Sequence, residues 1–363
     1  MDKEQQILNH IRMNPFISQQ ELSSKVGLSR PAVANYIANL TRRGEIKGRG
    51  YILREESSIV CIGGANTDLK ARTNQKVRLY SSNPVKMIEA CGGVARNFAE
   101  NLSRLGVNTS LMTCVGDDKE GNWILKETKG QGVDVSQVWV LPTERTGTYT
   151  TLLDIDGESI VSMADMNIYE KITTSMFEEK WSHIVASQAV YLDTNIPKEC
   201  ISYLIKRCRD ENIPLYIDPV SSAKAQKLPF RLDGVELLLP NREEAEMLAE
   251  TKIDSIKDCQ LACEKMRQRG VQKVIITLGD QGVYYFSTEE SGHLPAFETE
   301  VVDVTGAGEA FASCAIYGIM NQESLFSACQ LGLAGAALTL QTEKSISSFL
   351  KPDNIHEIVN QFS

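Results

Sequence analysis

The sequence lacks the features that mark membrane, disulfide-rich and metal-binding proteins. No apolar run reaches the roughly 18 residues that a membrane-spanning helix requires, and the polar N-terminus does not have the pattern of a signal peptide. The nine cysteines occur without a C-x-x-C pair, and the four histidines have no spacing typical of a metal site. We therefore expect a cytoplasmic protein with reduced thiols and no membrane association.

The composition is that of a globular protein with a large core. Of the 363 residues, 42% are hydrophobic and 23% are charged, so we expect two domains, or one large domain with an appendage. Residues 1–54 carry nine basic and four acidic side chains, a net charge of +5, whereas the remainder carries −14. A small basic unit joined to a large acidic one indicates two partners of different chemistry.

The first 55 residues have the pattern of a small DNA-binding domain. Apolar residues at helical spacing predict three helices, with a capping box formed by Ser18 and Glu21 before the second and Ser29 capping the third. Residues 46–53 alternate around glycines and predict a hairpin. This order closely resembles a winged helix-turn-helix, which we place at residues 1–55.

The third helix of such a domain would enter the major groove of DNA. The alternative is a dimerisation or regulatory module that has kept the fold without binding DNA. Candidates for the groove are Ser29, Arg30 and Asn35, with Asn39 as a further one, and candidates for phosphate contacts are Arg42, Arg43, Lys47 and Arg49.

From Ser58 onwards, short apolar strands alternate with helical stretches. This alternation predicts a mostly parallel sheet covered by helices on both faces, over residues 58–363. Residues near 65–91 and 146–164 resemble antiparallel hairpins, which would form a small sheet over the edge where such proteins bind ligands. Strands are expected at 59–64, 110–114, 183–186, 214–217, 235–239 and 273–277, and helices at 93–105, 118–131, 197–211, 242–250, 255–269, 306–320 and 323–341.

Two glycine-rich segments precede helices. In residues 302–310 (VDVTGAGEA), the stretch Gly306–Gly308 permits close approach of a ligand, and its N–H groups attract phosphate. The carboxylate of Glu309 is placed to accept a proton from a hydroxyl, although a simple glycine cap is the alternative. Together with residues 92–106 (GGVARNFAENLSRLG), this segment matches the paired signatures of the ribokinase, or PfkB, family. The resemblance covers residues 59 to about 355.

The resemblance implies a three-layer α/β/α sandwich with a small β-sheet lid, an ATP-dependent kinase activity and a homodimer paired through the lid. It implies a base at position 309, where this chain has glutamate instead of the family's aspartate. A misplacement of about an ångström can cost on the order of 10²-fold in rate, so we expect reduced turnover. The implied roles are sugar binding by Asp68, Asn66, Gly93 and Asn97; an anion hole of Gly306, Ala307 and Gly308; ATP binding by Thr277, Gly279, Gly282 and Asn241; Mg²⁺ binding through water by Asn241 and Glu244; and a K⁺ site of Asp303, Ser345 and Ser348.

Several stretches resemble bacterial pseudouridine kinases more than ribokinase or fructokinase. These are residues 81–86, 148–154, 165–168, 193–196 and 218–221. Within them, Thr150, Asp165 and Asn167 are candidates for contacts in the lid or to the nucleobase, against ordinary roles in strands and turns. Two alternatives stay open: a kinase for another furanose or nucleoside, and a transcription regulator whose kinase-like domain only senses its ligand.

Overall fold

The computed structural model describes residues 3–14, 17–46 and 58–362. The first two ranges form three helices, α1 (Lys3–Met13), α2 (Gln19–Val26) and α3 (Arg30–Arg42). Their apolar faces enclose a small core of their own, which includes Ile7, Leu22 and Leu40. The predicted hairpin, together with Lys47 and Arg49, lies beyond Ile46 and therefore outside the described residues.

The remaining range forms a large α/β domain. Helices and strands alternate along most of it, which is the pattern expected of a sheet built largely from parallel crossovers. The elements are β1 (Ser58–Ile62), β2 (Asn66–Thr73), β3 (Val85–Gly92), α4 (Val94–Arg104), β4 (Asn108–Met112), β5 (Cys114–Gly116), α5 (Lys119–Gly130), β6 (Trp139–Leu141), β7 (Thr148–Leu153), β8 (Ser159–Asp165), α6 (Thr174–Glu179), α7 (Trp181–Val185), β9 (Ala189–Asp193), α8 (Lys198–Asp210), β10 (Leu215–Asp218), α9 (Ser222–Ala225), β11 (Val235–Leu238), α10 (Arg242–Ala249), α11 (Ile256–Gln268), β12 (Lys273–Thr277), β13 (Val283–Phe286), β14 (Ser291–Leu294), α12 (Ala307–Met320), α13 (Leu325–Leu340) and α14 (Pro352–Phe362).

The main sheet has eight strands in the order β14-β13-β12-β11-β10-β9-β1-β4. The six strands from β12 to β4 in this order run parallel to one another. At the edge, β13 pairs antiparallel with β12, and β14 pairs antiparallel with β13. Successive residues of β1 join opposite cores, with Val60 and Ile62 on one face and Ile59 and Cys61 on the other. Both faces are therefore covered, and the predicted three-layer sandwich is confirmed.

A second sheet has the order β3-β2-β7-β8 and is called the small sheet below. It comes from the two regions in which antiparallel hairpins were predicted. Strands β2 and β7 pair in parallel, while β3 and β8 pair antiparallel at the two edges.

One predicted strand is wrong. Residues 183–186 were expected to form a strand, but they belong largely to helix α7, and the strand is β9, a few residues later. Short apolar runs of this kind fit a buried helix as well as a buried strand, so periodicity does not separate the two. The difference matters because β9 ends at Asp193, which organises the candidate site. In the described ranges, no helix combines the length and apolar character needed to cross a bilayer.

Candidate active site

Asp193, at the carboxyl end of β9, joins the segments that form the site. Its side chain is fully buried. Oδ2 accepts hydrogen bonds from the backbone N–H groups of Gly64 (2.8 Å) and Ala95 (2.9 Å), and Oδ1 accepts one from Asn195 (2.8 Å). This carboxylate therefore fixes the end of β1 against the first turn of α4. Sequence reasoning did not single it out, although an aspartate directly after a buried strand was the available signal.

Two predicted sugar-binding residues lie side by side on β2. The Asn66 amide donates a hydrogen bond of 2.6 Å to Asp68 Oδ1. Opposite them is Gly92, where a Cβ atom would lie 2.1 Å from Asp68 Oδ2. Burial raises the pKa of Asp68, and the hydrogen bond from Asn66 and the charges of Lys70 and Arg96 oppose that shift. The Asp68 carboxylate is thus partly desolvated, and a hydroxyl group of a ligand would replace the hydrogen bonds to water that it has lost.

Asn97, on α4, faces the predicted base. Its Nδ2 lies 3.5 Å from Glu309 Oε1, at the long end of the range for a hydrogen bond. Its Oδ1 accepts a hydrogen bond of 3.1 Å from the guanidinium of Arg96, which is only 4% exposed. Because the oxygen is engaged by Arg96, the amide nitrogen points to the site. Sequence reasoning did not identify Arg96 as part of this arrangement.

Arg96 is itself held on several sides. It also donates to Thr128 of α5 (3.2 Å) and to the carbonyl of Cys91 at the end of β3 (3.2 Å), and it forms an ion pair with Glu100. The guanidinium therefore joins α4, α5 and the small sheet at one point beside Asn97.

Glu309 lies in the first turn of α12, directly after the predicted anion hole. Gly306 has φ of +86°, and a Cβ atom there would lie 1.9 Å from the carbonyl oxygen of Ser345. Burial raises the pKa of Glu309, the contacts with its own backbone N–H and with Asn97 lower it, and the negative charges of Asp68 and Asp193 raise it further. The net pKa is above the ordinary value, as expected for a carboxylate surrounded by other acids.

Asn241 and Glu244 form a capping box at the start of α10. The backbone N–H and side-chain amide of Asn241 donate to the two Glu244 carboxylate oxygens (2.8 and 2.7 Å). Burial raises the pKa of Glu244, and burial together with the nearby charge of Glu244 raises that of Asp218 well above its usual value. Buried carboxylates next to an amide oxygen form a donor set that suits a hydrated divalent cation, so these residues fit Mg²⁺.

The predicted nucleotide turn follows β12. The backbone of Thr277 pairs with Asn241, which places the turn next to the capping box. Gly279 has φ of +64° and faces open space, and Leu278 N–H donates to Gly282 O (2.8 Å) to close the turn.

The residues predicted to make contacts in the lid, Thr150, Asp165 and Asn167, lie on or just after β7 and β8, which follow β2 in the small sheet. Thr148 of β7 is the neighbour of both Thr67 and Asp165, so Asp165 lies at the same end of the small sheet as Asn66. Asn167 donates a hydrogen bond of 3.4 Å to Asp165, whereas Thr150 lies further along β7. Asp165 and Asn167 are thus brought together, and Thr150 stands apart from them.

The residues predicted to bind K⁺ do not fit that ion. Asp303 Oδ1 accepts hydrogen bonds from the backbone N–H and hydroxyl of Thr305 (2.8 and 2.6 Å), and Oδ2 accepts one from Lys70 Nζ (2.9 Å). An ammonium group already neutralises this carboxylate. Ser345 contacts the turn through its backbone carbonyl beside Gly306, and Ser348 is exposed.

Helix α3 presents a polar surface to solvent. Four of the DNA candidates on or next to it, Ser29, Arg30, Asn35 and Arg42, are exposed, as is Asn39. Ser29 also caps the helix by accepting from Ala32 N–H (3.3 Å). Arg43 differs, because its guanidinium is paired with Glu4 (2.6 Å) and Glu45 (2.9 Å).

A glycine-rich helix start, the buried carboxylate of Asp193 and the hydrogen-bonded pair Asn66 and Asp68 lie at one edge of an α/β/α sandwich. The fold is that of ribokinase-like kinases. The chain belongs to the pfkB family of carbohydrate kinases, whose model matches residues 56–352. The model of a winged helix-turn-helix DNA-binding domain matches residues 2–47.

Two relatives of known sequence and one solved structure are similar to the chain. It is 30% identical to the uncharacterized sugar kinase YeiI of Escherichia coli K12, over 99% of both chains. It is 34% identical to the pseudouridine kinase of the same organism, over 75% of this chain and 88% of that one. The structure of Arabidopsis thaliana ribokinase complexed with ribose and ATP shares the fold, with a TM-score of 0.72 and 20% identity over 84% of this chain and 98% of that one.

Proposed function

We propose that this chain is an ATP-dependent kinase that phosphorylates the ribose 5′-hydroxyl of pseudouridine. The observation that carries the proposal is the position of the Glu309 carboxylate, which lies against Asn97 in the first turn of α12. A base beside a hydroxyl-binding amide, at a helix start that attracts phosphate, provides what phosphoryl transfer requires. The identity to pseudouridine kinase supports the choice of nucleoside.

In this proposal the substrate lies between the small sheet and α4. The Asp68 carboxylate can accept hydrogen bonds from two hydroxyl groups, which suits a vicinal diol such as that of ribose. Asn66 orients Asp68, and Asn97 donates to a hydroxyl. Gly93, predicted to leave room for the sugar, instead permits close backbone packing, since a Cβ atom there would lie 2.5 Å from Ala65 Cα. Asp165 and Asn167, at the end of β8, are placed to contact the nucleobase, with Thr150 as a further candidate.

ATP binds along the adjacent edge of the sheet. Thr277, Gly279 and Gly282 receive its phosphates, and the N–H groups of Gly306, Ala307 and Gly308 hold the group being transferred. Asn241 and Glu244 would hold Mg²⁺ through water, and the ion would supply positive charge against the phosphates. The ribokinase of the same fold that was solved with ribose and ATP supports this assignment.

Glu309 removes the proton from the attacking hydroxyl. Burial raises its pKa, which makes it a stronger base than an exposed glutamate. Its extra methylene displaces the carboxylate from the position that the family's aspartate would give it. We expect Glu309→Gln to lower kcat by about 10²–10⁴-fold and Glu309→Asp to raise it above that of the parent. A Glu309→Asp kcat at or below the parent's would show that side-chain length does not limit turnover.

A screen of candidate substrates tests the proposed activity. ADP production would be measured with pseudouridine, uridine, ribose and fructose, and we expect the highest kcat/KM with pseudouridine. A preference for another of these would keep the kinase and replace its substrate. The second candidate function is a transcription regulator that senses its ligand, and it is favoured by the exposed polar surface of α3. Binding of a nucleoside without phosphorylation of any of the four would support that function.

DNA binding through residues 1–54 is a further part of the proposal. Arg30, Asn35 and Arg42 would contact DNA, whereas the ion pairs of Arg43 compete with phosphate. The full chain should bind promoter DNA at low salt, and Arg30→Ala with Asn35→Ala should weaken binding while leaving kinase activity unchanged. Absence of binding by the parent at low salt would rule out this part.

The proposed homodimer forms through the small sheet. Its strands β3 and β8 carry large apolar side chains that are exposed in the single chain, among them Met87, Ile88, Ile160 and Met163. Several exposed apolar side chains on one small sheet are typical of an interaction surface. Light scattering on the full chain should give the mass of a dimer, and Ile88→Lys with Met163→Lys should give that of a monomer.

A further inference from the structure

Lys70 connects the small sheet to the turn before the proposed anion hole. It lies on β2, and its ammonium is 2.9 Å from Asp303 Oδ2 and 3.3 Å from the Thr305 hydroxyl, on a segment more than 230 residues away in the sequence. Both side chains of the ion pair are about one-third exposed or less, at 32% for Lys70 and 27% for Asp303. Neither partner is therefore a freely solvated surface charge.

The contacts of Asp303 leave no role for an added cation. Thr305 donates twice to Oδ1, and Lys70 donates to Oδ2, so both oxygens are engaged by protein donors. These bonds outweigh burial and lower the pKa of Asp303 below its ordinary value, so the carboxylate is ionised and paired. A monovalent cation at the same carboxylate would meet the like charge of the ammonium.

The Lys70–Asp303 ion pair lies directly before the proposed phosphate-binding turn. Asp303 and Thr305 come immediately before Gly306, whose conformation sets the start of α12. We propose that the Lys70 ammonium takes the place of a bound monovalent cation at Asp303, and that it orders the phosphate-binding turn only while the small sheet is seated over the site. In this proposal the chain needs no K⁺. The turn is ordered for phosphate binding only when β2, the strand that carries the proposed substrate-binding residues, is in place.

The test compares Lys70→Met with Arg72→Met. Arg72 is two residues along the same strand, and its guanidinium contacts the carbonyl of Ile155 (3.4 Å) instead of Asp303. Each change removes one positive charge from β2, but only Lys70→Met removes the contacts with Asp303 and Thr305. Kinase activity of the full chain would be measured in KCl, NH₄Cl, NaCl and tetramethylammonium chloride at equal ionic strength.

We expect the parent and Arg72→Met to have the same kcat/KM in all four salts. Lys70→Met should lose about tenfold or more in tetramethylammonium chloride, as expected for a mispositioned phosphate site, and should regain activity in KCl or NH₄Cl. Activation of the parent by K⁺, or a Lys70→Met variant with parental activity in all four salts, would overturn the proposal.

A second readout separates this proposal from the proposed kinase function, on which the activity measurement rests. ATP affinity by calorimetry and melting temperature would be measured for the same three proteins in the same salts. We expect K⁺ to increase the ATP affinity and the melting temperature of Lys70→Met alone, even if no nucleoside is phosphorylated. A K⁺ effect of the same size on the parent, or none on Lys70→Met, would overturn the inference independently of the substrate.

Discussion

The two helices that meet at the candidate active site both begin at glycines, but their first turns are completed differently. At the start of α4, Gly93 has φ of +101°, and Asp193 accepts a hydrogen bond from Ala95 N–H. At the start of α12, the capping residue Gly306 has φ of +86° and, like Gly93, has no side chain to close the turn. A helix start leaves up to four N–H groups without helical partners. Helix α4 gives one of them to a carboxylate from β9, whereas at α12 Ala307 N–H lies 3.4 Å from Val304 O and, among the described residues, no carboxylate from another segment is bonded to the first turn.

Under the proposed function, this difference explains why one start carries substrate-binding side chains and the other is suited to phosphate. Once Asp193 has fixed α4, Arg96 and Asn97 extend from a rigid turn into the site. At α12, Gly308 faces open space, and Glu309 follows it in the same first turn. The same local motif therefore gives a positioning element or an anion site, depending on whether the protein supplies the acceptor.

Among the variants that test this comparison, Gly306→Ala should cause the largest loss of stability and activity. A Cβ atom at Gly306 would overlap the Ser345 carbonyl oxygen at 1.9 Å and would be attached to a residue with positive φ. We expect a loss of at least about 2 kcal/mol of unfolding free energy and loss of kinase activity. Gly308→Ala is the control, since its methyl group would enter open space and should leave stability unchanged. Equal denaturation midpoints for the two variants would remove the distinction between the glycines.

Arg96→Met should have the next largest effect, because it changes the α4 side of the comparison. Without the guanidinium, the Asn97 amide is free to turn its oxygen toward the site. We expect KM for the nucleoside to rise about tenfold, which corresponds to roughly 1.4 kcal/mol, with a smaller change in kcat.

Arg104→Met provides the matched control for that variant. Arg104 also forms an ion pair with Glu100 (2.7 Å) and donates to Gln131, but it does not contact Asn97. Both variants weaken the same network, so both should lower the melting temperature. If Arg104→Met raised KM as much as Arg96→Met, the effect would come from Glu100 and not from the orientation of Asn97.

The sequence predicted those parts of the site that depend on local chemistry. The glycine starts of α4 and α12 and the capping box at Asn241 are set by residues within a few positions of one another. The alternation of strands and helices predicted the sandwich for the same reason. The boundaries of β9 were missed because an apolar run at 183–186 fits either type of element.

The contacts that complete the site could not be predicted in this way. Asp193 binds Gly64 and Ala95, about a hundred residues or more away, and Lys70 binds Asp303 at a still larger separation. Nothing near Lys70 in the sequence indicates an acidic partner, since only folding of the small sheet over the main domain brings the two together. K⁺ was expected at Asp303 because the carboxylate was visible in the motif and its ammonium partner was not.

Glu309→Gln, whose loss of kcat is expected above, should have the smallest effect of these variants on stability. Burial raises the pKa of Glu309 above its ordinary value of 4.5, so the folded chain holds this proton more tightly than the unfolded chain does. The contribution of Glu309 to stability therefore falls as the pH rises from below 4.5 through the raised pKa. Glu309→Gln is neutral at every pH and should therefore unfold at a higher denaturant concentration than the parent at pH 7, with no difference near pH 4. Glu323→Gln, on the exposed turn between α12 and α13, removes the same charge from a solvated position and is the matched control. A Glu309→Gln variant less stable than the parent at pH 7 would mean that the ionised carboxylate is stabilised by the turn, and α12 would then resemble α4 in using a carboxylate of the protein to satisfy its first N–H groups.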